Sequence, residues 1–343
     1  MFSALVHPTL EKKIREKSLD IDPYYIKKYE YLKEYGYFED YEASNFKSYI
    51  DDEMVKESLL QVEQIVFETT DHCNLNCPYC SLGEMYDFAK KERKTINTHY
   101  AINFLKYIFD LKPPKTKLGI GFFGGEPLVN FDFIKKIVEE VKQLNTDKEL
   151  DIEYNMTTNA TLMRKHIPFL VEHNFVLLIS LDGDEKGHSY RVYAKNNKNS
   201  FSEVIKNVDI LQRDYPAYFV DKVSFNAVLH NRNSIKDIYT FIYNRYNKIP
   251  RVAQLAPGGI NPEMKDLYES MFHNRMKSER EFENEGSSLL PIARDGLILY
   301  RELSKFLNKD SINSYISNLL NLLYAQISVF PTSTCFPFEK KYF

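Results

Sequence analysis

Cys73, Cys77 and Cys80 stand in CxxxCxxC spacing within Cys73-Asn74-Leu75-Asn76-Cys77-Pro78-Tyr79-Cys80, and they are three of the four cysteines in the chain. Thiolates are soft ligands for zinc and for iron–sulfur clusters, and both kinds of centre are closed by four protein donors. Three donors on one short loop can hold three irons of a [4Fe–4S] cluster and leave the fourth with an open position. An iron with an open position binds a substrate or cofactor, whereas a fully ligated cluster mainly carries electrons. The competing reading is a small, non-catalytic zinc site completed by His72 or His99.

Other features narrow the setting. The net charge of −3 over 343 residues gives no basic face, which argues against nucleic acid as the main partner. Met1 to Leu10 lacks a basic segment followed by an apolar core, so no signal peptide is expected. No apolar run reaches the length of a membrane span. Three clustered cysteines and one remote one, Cys335, make a poor disulfide framework and point to metal or redox chemistry in a reducing cytoplasm.

The elements that must position the cysteines can be followed along the chain. Residues 1–60, rich in Lys, Glu and Tyr, suggest a helical appendage, with Tyr25, Tyr29 and Leu32 at helical spacing and a stop at Glu34 to Gly36. Gln64 to Thr70 is β-branched and aromatic, and predicts a strand running straight into the cysteine loop. Ala101, Phe104, Leu105, Ile108 and Phe109 mark an amphipathic helix ended by Lys112-Pro113-Pro114. Further strands are expected at Leu118 to Phe123, Asp151 to Thr157, Phe175 to Leu181, Lys222 to Leu229 and Val252 to Ala256. Helices alternate with them around Ile134 to Val141, at 161–172 with Pro168 in the middle, at Phe201 to Leu211 and at Ile235 to Tyr246. Six strand–helix repeats imply an α/β fold with a parallel sheet, two repeats short of a closed barrel. Gly124-Gly125-Glu126-Pro127, Thr157-Thr158-Asn159 and Ser180-Leu181-Asp182-Gly183 each follow a strand, as the cysteines do. Ligands of parallel α/β folds bind beyond the carboxyl ends of the strands, so these loops should converge on one mouth. Residues 261–325 suggest a helical linker, with Ile316, Leu319, Leu320 and Leu323 on one apolar face.

On the cysteine spacing, Tyr79, Gly-Gly-Glu-Pro, Ser-Leu-Asp-Gly, His188 and Arg191, the chain resembles radical S-adenosylmethionine (SAM) enzymes over residues 64 to 260. The resemblance implies a partial (β/α)6 TIM-like barrel at 61–260, carrying the N-terminal appendage and the C-terminal helical extension. It implies a [4Fe–4S] cluster on Cys73, Cys77 and Cys80, with SAM on the open iron. By the same resemblance Gly124, Gly125 and Glu126 would serve the SAM ammonium. Ser180 and Asp182 would serve the ribose, Arg191 the carboxylate, and Tyr79 and Leu255 the adenine. The family generates a 5′-deoxyadenosyl radical by reductive cleavage of SAM. No residue stands out as a catalytic acid or base.

Cys335, in Thr334-Cys335-Phe336-Pro337, resembles the opening cysteine of a SPASM extension, found in peptide-modifying members related to anaerobic sulfatase-maturating enzymes. No cysteine follows it, so 326–343 would be the start of a truncated extension, with auxiliary [4Fe–4S] clusters only in a longer chain. The expected activity is maturation of a ribosomally made precursor peptide by a thioether or other cross-link, with electrons from a flavodoxin or ferredoxin. A formylglycine-generating activity is the enzymatic alternative.

Overall fold

A computed structural model describes residues 8, 9, 11, 22–35, 37, 51–87 and 94–284. Contacts divide the chain into two units, Met1–Val55 and Lys56–Phe343. In the first unit, helix α1 (Pro23–Glu34) is capped by the Asp22 carboxylate, which accepts from Tyr24 N, and starts with proline in its first turn. None of its residues is buried. Helix α2 spans Asp52–Leu60, and none of its residues is buried.

In the second unit, each strand is followed by a helix. The elements are β1 (Gln64–Thr70), α3 (Thr98–Leu111), β2 (Lys117–Gly124), α4 (Phe131–Leu144), β3 (Asp151–Thr158) and α5 (Ile167–Glu172), then β4 (Val176–Ser180), α6 (Phe201–Asp214), α7 (Pro216–Lys222), β5 (Val223–Leu229), α8 (Ile235–Tyr246) and β6 (Arg251–Gln254). All neighbouring strands are parallel and lie in the order β1-β2-β3-β4-β5-β6. The order never reverses, so right-handed crossovers carry every helix to the same face, which is the partial (β/α)6 barrel expected from the sequence. Alternation in the strands divides the two faces. Ile65, Phe67, Ile120, Phe122, Tyr154, Met156, Leu177, Ile179, Phe225 and Ala227 enter the core beneath the helices. Glu68, Asn155, Ser180 and Asn226 fall on the opposite, concave face, where Val66 and Phe123 are left 48% and 42% exposed.

Three local expectations need correction. Phe104 is exposed, while Ala101, Leu105, Ile108 and Phe109 are buried. At 100° per residue Phe104 falls at the edge of that face, beside exposed Tyr100 and Tyr107. The helix expected at 161–172 is a 3-10 turn, Met163–His166, followed by α5. Pro168 lies in the first turn of α5, where its missing N–H costs no bond. Helix α7, opened by Pro216, was not anticipated. Beyond β6, a 3-10 turn at Pro262–Met264 leads to helices α9 (Lys265–Met271) and α10 (Arg275–Asn284). The Ile316–Leu323 face, Cys335 and the expected SPASM-like start lie outside the described residues.

Candidate active site

The cysteine loop leaves β1 and is pinned at two places. Leu75 bridges Tyr193, with Asn76 N donating to Val192 O (2.8 Å) and Ala194 N to Asn74 O (3.0 Å). Farther along, Asp87 N donates to Gly259 O (2.9 Å) and Asn261 N to Met85 O (2.9 Å). Between these anchors, turns from Cys80 N to Cys77 O (3.1 Å) and from Gly83 N to Cys80 O (2.8 Å) bring the thiols round. All three cysteines are partly buried. Burial pushes the Cys77 thiol up to about 12; Arg191 pulls it down, and Cys80, Cys73 and Asp182 add to the rise. The other two sulfurs are thus close enough to be felt at Cys77.

Gly124 and Gly125 hold this loop against the sheet. Gly125 N donates to Thr70 O (2.7 Å) and Glu126 N to His72 O (3.0 Å). A Cβ on Gly125 would lie 2.3 Å from His72 O and 2.4 Å from its carbonyl carbon. Gly124 has φ 125°, and a Cβ there would meet Thr70 O at 2.3 Å. Both glycines are therefore required where the two backbones approach, three residues before Cys73 for Gly124 and one before it for Gly125. Gly125→Ala is expected to cost about 3 kcal/mol, the upper end of overpacking, because the obstacle is main chain that cannot rotate away. Gly258→Ala, where a Cβ meets nothing within 4 Å, should stay within about 0.5 kcal/mol. Denaturant midpoints of the two variants check the contrast.

Glu126 is 1% exposed, and both of its oxygens are taken by the chain. Oε1 accepts from Thr158 Oγ1 (2.7 Å) and Leu128 N (3.1 Å), and Oε2 from Asn159 N (2.7 Å). Asn159 Nδ2 in turn reaches Asn74 Oδ1 at 2.9 Å and Cys73 Sγ at 3.7 Å. Gly-Gly-Glu-Pro, the β3 end and the first cysteine thus form one connected unit. Burial pushes the Glu126 carboxyl up from 4.5 to about 7, against the pull of its three donors. A carboxyl raised on folding contributes stability below about pH 4.5 that is lost as pH rises through about 7. Relative to Glu126→Gln, which cannot ionise, the parent chain should therefore lose about 3 kcal/mol over that window. Denaturation of both proteins between pH 4 and 8 measures the difference.

Asp182, just past β4, is fully buried. Arg191 Nε and Nη2 donate to its two oxygens at 2.8 and 2.9 Å, Val228 N donates to Oδ1 at 2.8 Å, and the Tyr79 hydroxyl donates to Oδ2. Burial alone would raise this carboxyl; the Arg191 charge and hydrogen bonds outweigh it and hold Asp182 below the usual range. Tyr79 stacks on His230 (5.5 Å between centroids), with the Arg191 guanidinium 5.5 Å from the Tyr79 ring. His188 accepts from Asp182 N and donates to Ser200 Oγ (3.0 Å), which itself donates to Arg191 O. Burial lowers its pKa to about 3, so it is a neutral strut. Tyr79 and Leu255 share a buried apolar cluster with Met85, Tyr86, Tyr268 and Met271, and Cys77 packs against it. Ser180 ends β4 opposite Asn226 on the concave face.

The structure thus brings the eleven expected residues to one end of the sheet, but joins several of them to each other. Asp182 and Arg191 form a pair, and Glu126 caps a turn. His230, Asn74 and Asn233 (Nδ2 to Asp182 O, 3.0 Å) were not singled out beforehand. Only the short spacing of Asn74 from Cys73 offered a signal. The donor set suits a [4Fe–4S] cluster: three thiols on one loop, with N–H groups of Leu75 (3.4 Å) and Asn159 directed at Cys73 Sγ. Among the described residues, no three His, Cys, Asp or Glu side chains are grouped to hold a single metal ion.

Comparison with known proteins identifies the family. Residues 67–242, just over half of the chain, match the Radical SAM superfamily. The radical SAM cyclopropyl synthase TigE of Paramaledivibacter caminithermalis is 29% identical over 49% of this chain and 36% of its own length. A cysteine-type anaerobic sulfatase-maturating enzyme of Clostridium novyi is 31% identical over 52% of this chain and 47% of its own. The chain spans about half or less of the length of these curated relatives. Native anSMEcpe with bound AdoMet aligns at a TM-score of 0.48 and 20% identity, over 56% of this chain and 51% of that one. On the match across its strands and cysteine loop, the chain belongs to the radical SAM superfamily of enzymes, whose cofactors are a [4Fe–4S] cluster and S-adenosylmethionine.

Proposed function

We propose that this protein matures a ribosomally made precursor peptide by a thioether or related cross-link. The observation that carries the reading is a single loop of three thiols, one short of a closed centre, in which Cys73 and Cys80 both bear on Cys77 and Cys77 packs against a buried apolar cluster. When bound there, cluster and SAM supply a one-electron cleavage that removes a hydrogen atom from an unactivated C–H bond.

The chain's own residues bind and orient. Cys73, Cys77 and Cys80 would hold the cluster. Gly124 and Gly125 would offer backbone carbonyls to the SAM ammonium, and Ser180 would serve a ribose hydroxyl. Tyr79 and Leu255 would flank the adenine. Arg191 uses Nε and Nη2 on Asp182, which leaves Nη1 for the SAM carboxylate. Glu126 acts on the loop, through Asn159, with its oxygens already filled. A thioether breaks one S–H and one C–H bond and forms one S–C bond. One hydrogen leaves as the abstracted atom and the other as a proton plus an electron, passed to an acceptor of the ferredoxin or flavodoxin class. Three cysteines clustered on one loop suit a reducing cytoplasm.

The similarity to a named sulfatase-maturating enzyme favours a second reading, oxidation of a cysteine to formylglycine. Anaerobically reconstituted protein, incubated with SAM, dithionite and either a cysteine-bearing precursor peptide or a sulfatase-type peptide, separates the two. Loss of two hydrogens with a cyclic fragmentation pattern supports cross-linking, and an aldehyde on a sulfatase-type peptide supports the second. Iron-loaded protein that yields no 5′-deoxyadenosine with either peptide refutes both.

A further inference from the structure

We propose that Asn159 is a positioning residue for Cys73, set in place by Glu126, and that it eases reduction of the cluster. The inference rests on the cluster reading above.

Asn159 is 7% exposed and its amide cannot turn freely. Oδ1 accepts from Thr161 N (3.0 Å) and Thr161 Oγ1 (2.6 Å). A backbone N–H can only donate, so the oxygen is fixed on that side and Nδ2 is fixed toward Cys73 Sγ, 3.7 Å away. Its second contact, Asn74 Oδ1 at 2.9 Å, is again an acceptor, and the Asn74 amide donates to Thr161 Oγ1 at 2.8 Å. The backbone of Asn159 is held by the buried Glu126 carboxylate at 2.7 Å. Leu75 N adds a second donor to Cys73 Sγ at 3.4 Å. Among the described residues, neither Cys77 nor Cys80 receives a hydrogen bond at sulfur, so the three ligands are not equivalent.

A donor directed at a ligating sulfur draws off negative charge and favours the reduced cluster, which carries one more electron. Asn159 is therefore placed to raise the potential at which the cluster accepts its electron, and to hold Cys73 while it does so. Glu126 acts one bond farther out.

The test is a potentiometric titration of anaerobically reconstituted wild type, Asn159→Ala, Asn159→Asp and Glu126→Gln, read by electron paramagnetic resonance, with iron and sulfide counted per chain. In Asn159→Ala the ratio of reduced to oxidised cluster at fixed poise should fall about tenfold, equivalent to about 59 mV for one electron. Asn159→Asp, which sets a carboxylate against the sulfur, should fall further, and Glu126→Gln less than either. Unchanged midpoints in fully loaded Asn159→Ala and Asn159→Asp overturn the inference. So does loss of the cluster from both variants while their fold stays intact, since Asn159 would then be structural only. A wild type that takes up no iron refutes the cluster reading instead.

Discussion

Cys77→Ala is expected to bring 5′-deoxyadenosine production to background and to leave the protein without a stable cluster. The donor set has no reserve. Three thiols already fall one short of the four that close an iron–sulfur centre, and the fourth position must stay open for SAM. Cys77 packs against the apolar cluster of Tyr79 and Leu255 and feels Arg191, Cys80, Cys73 and Asp182. Alanine removes the sulfur without disturbing Tyr79 or Arg191, so thermal stability should change little beside the loss of iron. Iron and sulfide per chain, the visible absorbance of the cluster, and chromatography of 5′-deoxyadenosine measure the outcome together. Full iron loading with continued SAM cleavage in this variant would remove the basis of the functional reading.

The cysteine loop and the six repeats were legible because their signals are local. CxxxCxxC is a spacing, and a strand buried beneath helices shows as an apolar run such as Phe175 to Leu181. What was not legible depends on distance. Asp182 and Arg191 were each expected to face a ligand, since the family resemblance implies separate roles for them, at the ribose and at the carboxylate. Nothing nine residues away in sequence says that the turn Gly187–Tyr190 folds one back onto the other. Glu126 and Asn159 are separated by a whole helix and strand, and meet only because β2 and β3 pair in register. The glycines of Gly-Gly-Glu-Pro were expected to serve the SAM ammonium, but nothing in their spacing says that they also meet the main chain before Cys73. Phe104 shows the limit of a helical stripe: its spacing fits, but the edge of the face stays in solvent.

Asp182→Ala should destabilise the second unit by about 3–5 kcal/mol, because it leaves the Arg191 guanidinium buried without its counter-charge. Arg191 is 8% exposed, its Nε and Nη2 both point at Asp182, and the charge of Asp182 is what holds its pKa up against the cost of burial. The same substitution strips Val228 N and the Tyr79 hydroxyl of their acceptor, and unpaired buried donors add to the cost. Combining it with Arg191→Met should recover a large part of the loss, since replacing both members of a buried pair with apolar groups is often near neutral. Denaturant unfolding of the two single variants and the double variant gives the coupling directly. Strong coupling would show that the pair holds Tyr79 and β5 in place beside Cys77. Additive losses would mean that Asp182 and Arg191 act separately, each toward a ligand, as the family resemblance implied.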